Sequence, residues 1–354
     1  MKTRSCFLFK PDGIGDFFLA SGVVRLLGQE FGEENITLAI LPIMEPVVRG
    51  QFPKASIINL PLRTRRVILN KFVANCLRCF DPWLTLLRMR VDVSISLRNM
   101  RDYLQTMLFF SVRSRRRILC HNPLLESNRP VRRWTERAFD LLFTPSFIDY
   151  PGSTEGVPNE LEAHRRLLCE ALGREVSIRE IWPELKAVSR SPITAPFWVC
   201  APFSSGLEKD FPLERWVDLF LAVQRRGKLP ALVLTGSPDQ QDRLAEFQSL
   251  LAAASAELAA KTRIFIPGDL QKFIDLLALA ECVTTVDTAA AHAATALNCR
   301  TLILFSGKHQ GMFAPWVRSA RQCWLLPKIG STAPLWHQSH DLNEILKALE
   351  AILE

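Results

Sequence analysis

The stretch Cys282-Val-Thr-Thr-Val-Asp287-Thr288-Ala289-Ala290-Ala291-His292-Ala-Ala-Thr-Ala-Leu297 decides the fold. A β-branched run, the composition of a buried strand, ends in an acid and passes at once into an alanine-rich helix. Such a turn makes an anion site: the first backbone N–H groups of a helix have no partner inside it, and the aligned peptide dipoles add partial positive charge. Because Cβ atoms tilt towards the helix N-terminus, His292 in the first turn is expected to lean back over a bound group, with small alanines leaving room. Taken alone, Asp287 reads as well as a plain N-cap and His292 as a surface histidine. A second site has to decide.

Outward from this stretch, the second half repeats one pattern. Residues 197–203, 231–235, 263–266, 282–286 and 301–305 read as strands, and residues 212–226, 240–253, 270–280 and 289–297 as helices. Trp216, Phe220 and Val223 recur at helical spacing, as do Leu270, Phe273 and Leu277, which gives each helix one face to lay on a sheet. Unbroken apolar runs suit strands covered on both faces, hence an α/β, doubly wound parallel sheet. The first half opens in the same way, with a strand over 5–9, the turn Lys10-Pro-Asp-Gly13-Ile-Gly15, and a helix over 16–31 carrying Phe17, Ala20, Val24, Leu27 and Phe31 on one stripe. Strands are expected at 36–41, 56–60 and 91–97. After Arg113 the pattern weakens, and five prolines punctuate what read as short helices. Residues 184–196 read as a hinge. The expected organisation is a Rossmann-like domain over 1–185, a second over 186–340, and a closing helix over 341–354 that fits either. Ligands of such sheets sit beyond the carboxyl ends of the strands, so two sheets face to face would hold one ligand on each side of a cleft.

Composition narrows the function. The chain of 354 residues, 48% apolar and 23% charged, is globular and too long for one comfortable core. No apolar stretch is long enough to span a bilayer, and the four apolar residues before Lys10 are too few for a signal peptide, so a cytoplasmic protein is expected. Nine cysteines, an odd number, suit reduced core thiols; Cys76-Leu-Arg-Cys79 has no second pair at metal-ligand spacing. The net charge of +8 lies in the first half, where residues 49–137 hold 19 basic against 5 acidic side chains, mostly Arg. That asymmetry implies an anionic partner gripped by bidentate contacts, although solvated helix faces explain any single cluster equally well. Phe72, Phe80, Trp83, Phe109, Phe110 and Trp134 in the same half raise contact with a membrane surface, core packing being favoured for each. A nucleic-acid partner ranks lower, since the chain has two Tyr and no nucleic-acid module.

Three loops carry chemistry. Gly13-Ile-Gly15 fails as a dinucleotide fingerprint, because Phe18 stands where its third glycine belongs and Asp16 occupies the helix N-terminus. A carboxylate at the tip of that turn suits proton acceptance from a hydroxyl; capping its own helix is the other reading. Ala201-Pro-Phe-Ser204-Ser205-Gly206-Leu-Glu-Lys209-Asp-Phe-Pro212 offers two hydroxyls and a Lys as a small phosphate cradle and is not a Walker loop. The third loop is the turn at 287–292.

In order, Lys10-Pro-Asp-Gly-Ile-Gly15-Asp16, Ser204-Ser205 with Lys209 and Pro212, Leu234-Thr235-Gly236-Ser-Pro238, and Asp287-Thr288 with His292 followed by Leu304-Phe305-Ser306-Gly307 resemble the signatures of glycosyltransferase family 9, the bacterial heptosyltransferases. The resemblance implies a B-type glycosyltransferase fold of two Rossmann-like domains facing across a cleft, the first binding the acceptor and the second the nucleotide-sugar donor. It implies inverting transfer of a sugar, most often heptose from ADP-heptose, to an anionic acceptor such as the lipopolysaccharide core, without a metal. By resemblance Asp16 matches the general base and Lys10 a basic residue near the reacting centre. Ser204, Ser205, Lys209, Asp287, Thr288, Ala289, Ala290 and His292 match the donor site, with Asp239 or Gln240 towards the ribose or base. Arg63, Arg65 and Arg66 match a basic stretch that grips the acceptor, and Arg98 stands in the acceptor-side loop after a strand. Ala289 replaces the usual Gly, Phe211 the usual Trp, and Ser96-Leu-Arg98-Asn99 an acidic, Gly-containing strand end, which leaves the substrates open. A nucleotide-sugar epimerase, and a homologue that binds donor without turnover, remain alternatives on the same fold.

Overall fold

Apolar runs without polar alternation are accommodated only where a strand is covered on both faces, and here they build two parallel sheets. The computed structural model describes residues 4–62, 69–98, 103–121, 130–151, 157–189, 193, 196–227, 229–308, 310–328 and 336–354. The chain divides into two units, Met1–Pro183 and Glu184–Glu354.

In the first unit β1 (Cys6–Phe9), β2 (Ile36–Ile40), β3 (Ser56–Asn59), β4 (Arg90–Ser96), β5 (Arg113–His121) and β6 (Ser146–Asp149) lie in the order β3-β2-β1-β4-β5-β6, every pairing parallel. In the second, β7 (Phe197–Ala201), β8 (Ala231–Leu234), β9 (Thr262–Ile264), β10 (Cys282–Val286), β11 (Thr301–Leu304) and β12 (Gln322–Leu325) lie in the order β12-β11-β10-β7-β8-β9, again all parallel. Counted from its own first strand, each sheet has the same doubly wound order. The winding reverses between β1 and β4 and between β7 and β10, and at such switch points the loops diverge and leave a ligand crevice. Two Rossmann-like units are therefore present, as the sequence predicts.

Each unit has its own aromatic core. Phe7, Phe9, Phe109 and Phe110 interlock in the first, and Trp198, Trp216, Phe220 and Phe247 in the second. Phe109 and Phe110 are thus core residues and not membrane anchors, whereas Phe80 is half exposed. The closing helix Leu342–Leu353 belongs to the second unit, burying Ile345, Leu346, Leu349 and Ile352 in its core.

Three expectations are corrected. The segment after Arg113 is a strand, not a short helix: β6 covers β5 only from Ile118 onward, so the uncovered half carries arginines and hides the apolar signal. Arg116 is spent on Glu170 and on backbone carbonyls, and Arg117 lies over the Phe143 ring. On the helix Leu270–Leu279 the buried face is Gln271, Ile274 and Leu277, with Asp275 buried beside them to accept from Val188 N at 2.8 Å and from the Ser189 hydroxyl. The helix Ile14–Phe31 is buried nearly all round, because the turn Ile178–Ile181 and the helix Asn159–Leu172 cover the side away from the sheet.

That cover explains Gly22, where a Cβ would lie 2.0 Å from the Ile181 carbonyl oxygen. Gly22→Ala is expected to cost about 2–4 kcal/mol through overpacking. Gly28→Ala, on the same helix with no neighbour nearer than 3.9 Å, should instead stabilise by about 0.5–1 kcal/mol. Urea melts of the two variants check the opposite signs; equal effects would contradict the packing.

Candidate functional site

In the first unit the switch point is organised by one buried lysine. β1 runs straight into Lys10, which is 2% exposed. Its ammonium has three protons, and each has an oxygen partner: Leu97 O at 3.2 Å, Glu160 Oε1 at 3.2 Å and Asp12 Oδ2 at 3.0 Å. Leu97 follows β4, and Glu160 lies in the first turn of the helix Asn159–Leu172, so the lysine ties three segments together. Arg98 Nη1 holds the other Asp12 oxygen at 2.9 Å. His164, one turn beyond Glu160 and fully buried, places Nε2 3.3 Å from Glu160 Oε1. Burial alone would depress Lys10, but Asp12, Glu160 and Asp16 outweigh it and hold the ammonium above its ordinary value. Burial favours neutral Glu160, yet Lys10 and His164 keep it ionised, well below the carboxylate range. Burial lowers His164, which stays neutral.

Asp16 is the third carboxylate near Lys10. It is the third residue of the helix Ile14–Phe31, whose N-cap is Gly13, and it accepts a hydrogen bond from the Gly13 backbone. That is half a capping box, so the residue closes its own helix as well as standing in the crevice. Burial pushes its carboxyl up to about 6, with Lys10 opposing and Asp12 and Glu160 adding to the rise. A carboxylate that gains its proton near neutrality is matched to proton transfer.

In the second unit the loops after β7 and β10 meet at the corresponding switch point. Lys209 Nζ sits 2.7 Å from Asp287 Oδ2, so the two loops are bridged by an ion pair. Asp287 is not the N-cap: Thr288 is, its hydroxyl accepting from Ala290 N at 3.2 Å, and the helix runs Ala289–Ala296. Ser204 is turned inward. Its Oγ donates to Gly206 O at 2.6 Å, and its backbone N–H goes to Asp210 at 2.7 Å. Asp210 is held in turn by Arg243, which stacks 3.8 Å over the Phe203 ring. Ser205 is exposed, and so is Asp239 in the turn Pro238–Gln240, while Gln240 donates to Ser204 O at 3.3 Å.

His292 is not a surface histidine. It is buried against Trp316 and Trp324, and its Nδ1 accepts from the Trp316 indole at 3.0 Å. Burial lowers its pKa to about 4, with Asp287 opposing and Lys209 assisting. An indole only donates, so the network assigns the ring proton to Nε2 and leaves a neutral N–H donor.

Of the expected site residues, those of the turn 10–16 and Arg98 gather in the first unit, and those of 204–209 and 287–292 in the second. Arg63, Arg65, Arg66 and Asn99 lie outside the described residues, as do the side chains of Phe72 and Trp134. Arg98 is paired with Asp12, and Lys10 reaches Asp16 through space, its protons being taken. Sequence reasoning missed Glu160, His164 and Trp316: an acid in a first helical turn and a lone Trp carry no signal without the contacts. Among the described residues no group of three or more His, Cys, Asp or Glu is placed to hold a metal ion.

The model of glycosyltransferase family 9, the heptosyltransferases, matches residues 116–338, more than half of the chain. The match contains every site residue of the second unit and begins after the Asp16 turn. No curated protein sequence matches. Among solved structures, E. coli ADP-heptose LPS heptosyltransferase II is 17% identical with a TM-score of 0.66, covering 99% of this chain and 98% of its own. E. coli heptosyltransferase WaaC with ADP-2-deoxy-2-fluoro heptose is 14% identical with a TM-score of 0.69, at 98% and 99% coverage. A family 9 glycosyl transferase from Veillonella parvula is 12% identical with a TM-score of 0.68, at 100% and 98% coverage. At these identities the likeness is one of fold.

The raised Asp16 carboxyl sets a stability test. Its folded value of about 6 lies above the ordinary 3.8, so ionisation opposes folding as pH rises through that window. Asp16→Asn should therefore be more stable than the parent at pH 7.5, by of order 1–3 kcal/mol, with the gain shrinking towards pH 4. Thermal melts across pH read the difference, and a variant less stable at every pH would contradict the charge arrangement.

Proposed function

The chain belongs to glycosyltransferase family 9, and we propose that it is an inverting glycosyltransferase moving heptose from ADP-heptose to a hydroxyl of an anionic acceptor such as the lipopolysaccharide core. The observation that carries the reading is the family match over residues 116–338 together with Lys209, Thr288 and His292 gathered at the switch point of the second sheet. The donor class is supported by the family's description and by the ADP-heptose analogue held by the similar E. coli enzyme.

In this reading the diphosphate lies at the N-terminus of the helix Ala289–Ala296, where the helix dipole favours it and first-turn N–H groups now turned to Thr288 can exchange towards it. Lys209 exchanges Asp287 for the phosphate oxygens. His292, neutral and donating from Nε2, adds a hydrogen bond that brings no further charge. Asp16 takes the proton from the acceptor hydroxyl as that oxygen attacks the anomeric carbon and the bond to the diphosphate breaks, giving inversion. The leaving charge is met by the ammonium and the helix terminus, and no metal is called on. We place the reaction at the inner face of a membrane. No described helix is long and apolar enough to cross one, whereas Leu77, Phe80, Leu141 and Leu142 of the basic first unit are exposed apolar side chains suited to peripheral contact.

Asp16→Ala should keep donor affinity and lose turnover about 100-fold or more, the scale of a lost general base. Product analysis with ADP-heptose and a lipopolysaccharide-core acceptor reads it, and parental turnover would exclude the assignment. Lys209→Met should weaken ADP binding by calorimetry about tenfold or more, from loss of a charge-assisted bond of about 1.5–3 kcal/mol. Unchanged affinity would remove Lys209 from the donor site.

A further inference from the structure

Beneath the Asp16 turn lies a carboxylate that the transfer reading does not use. Glu160 comes from a helix far along the chain, is 2% exposed, and places Oε1 3.2 Å from Lys10 Nζ. Asp16 stands near enough to Lys10 for the two charges to act on one another. Glu160, Asp12 and Leu97 O together occupy all three ammonium protons. Were one of them released, the ammonium would have a proton for the Asp16 carboxylate, and an ion pair would both occupy its lone pairs and make it a poorer base.

We propose that Glu160 is a positioning residue for glycosyl transfer: by holding one proton of Lys10 it keeps that ammonium from pairing with Asp16 and so leaves the Asp16 carboxylate available as a base. The inference rests on the transfer reading, in which Asp16 accepts the hydroxyl proton. Among the described residues three elements supply the charged groups of this field. The turn after β1 supplies Lys10 and Asp12, the segment after β4 supplies Arg98, and the helix Asn159–Leu172 supplies Glu160 and His164. Cys120 of β5 and Tyr150 after β6 stand near Glu160, and burial holds both protonated. Asp12 is also held by Arg98, whereas Glu160 reaches Lys10 from a separate helix, which makes Glu160 the point at which the balance is tunable. His164, neutral beside it, contributes shape and a dipole rather than a charge.

The test is a ¹³C NMR titration of protein labelled at the aspartate carboxyl carbon, with the Asp16 signal assigned by its loss in Asp16→Asn. Glu160→Gln removes the charge and leaves Lys10 only a neutral, weaker oxygen partner, so the Asp16 midpoint should fall by about one pH unit, part of it from loss of the direct Glu160 field. Glu160→Asp keeps the charge and withdraws it from Lys10, and its midpoint should lie between the two. It also serves if the Gln variant does not fold. Midpoints unchanged in every folded variant would overturn the proposal. The titration needs no turnover, so the two layers separate: an unmoved midpoint in an active enzyme refutes the role of Glu160 alone, whereas a parent that transfers no sugar removes the reading beneath it.

Discussion

An ammonium buried at the carboxyl end of a strand must collect oxygens, because an unpaired charge in the interior costs several kcal/mol. Lys10 is such a charge, and the first unit is arranged around it. β1 delivers it, the end of β4 offers a carbonyl, and a helix from the other end of the unit brings Glu160. The cost of the lysine is met by two carboxylates, one of them shared with Arg98. A third carboxylate then has to sit in the same crevice without a cation of its own. That is the position of Asp16, and its affinity for a proton near neutrality follows first from burial, with Lys10 opposing and the two other carboxylates adding to the rise.

The second unit solves a related problem with an exposed lysine. Lys209 is about one-quarter exposed and paired with a nearly buried Asp287. A pair of this kind is exchangeable, since an incoming phosphate offers the ammonium the same chemistry while the helix terminus beside it adds further donors. The loop that presents Lys209 is built to keep its shape: Asp210 takes the Ser204 N–H, Arg243 takes Asp210, and Phe203 lies under the guanidinium. His292 is fixed by Trp316 in one tautomer. Donors that are oriented beforehand need no reorganisation when charge develops, which under the proposed transfer is how this small set of groups would stabilise a departing diphosphate.

Much of this was legible in the chain because parallel strands covered on both faces leave unmistakable apolar runs. β7, β8, β10 and β11 were readable for that reason, and the loops after β1, β7 and β10 followed from them. β5 was not legible, since its uncovered half is arginine-rich, and neither were the short strands β6 and β12. The arrangement of the candidate site was half legible. Asp16, Lys209 and Thr288 sit beside turns whose chemistry is local. Glu160 and Trp316 act over 150 and 24 residues of separation, respectively, and no spacing rule reaches them. The inward Ser204 and the N-cap at Thr288 in place of Asp287 show the complementary limit: residue type names a candidate, and only the hydrogen bond assigns its task.

The central claim is that a carboxylate titrating near neutrality limits the chemistry. It is tested most directly by the pH dependence of kcat/KM for heptosyl transfer by the unmodified protein between pH 4.5 and 8.5, with donor stability and folding checked at each pH. The account predicts a rate that falls tenfold per unit on the acid side with a midpoint near 6, the value set by burial and the neighbouring charges at Asp16. A rate that stays level down to pH 4.5 would contradict it.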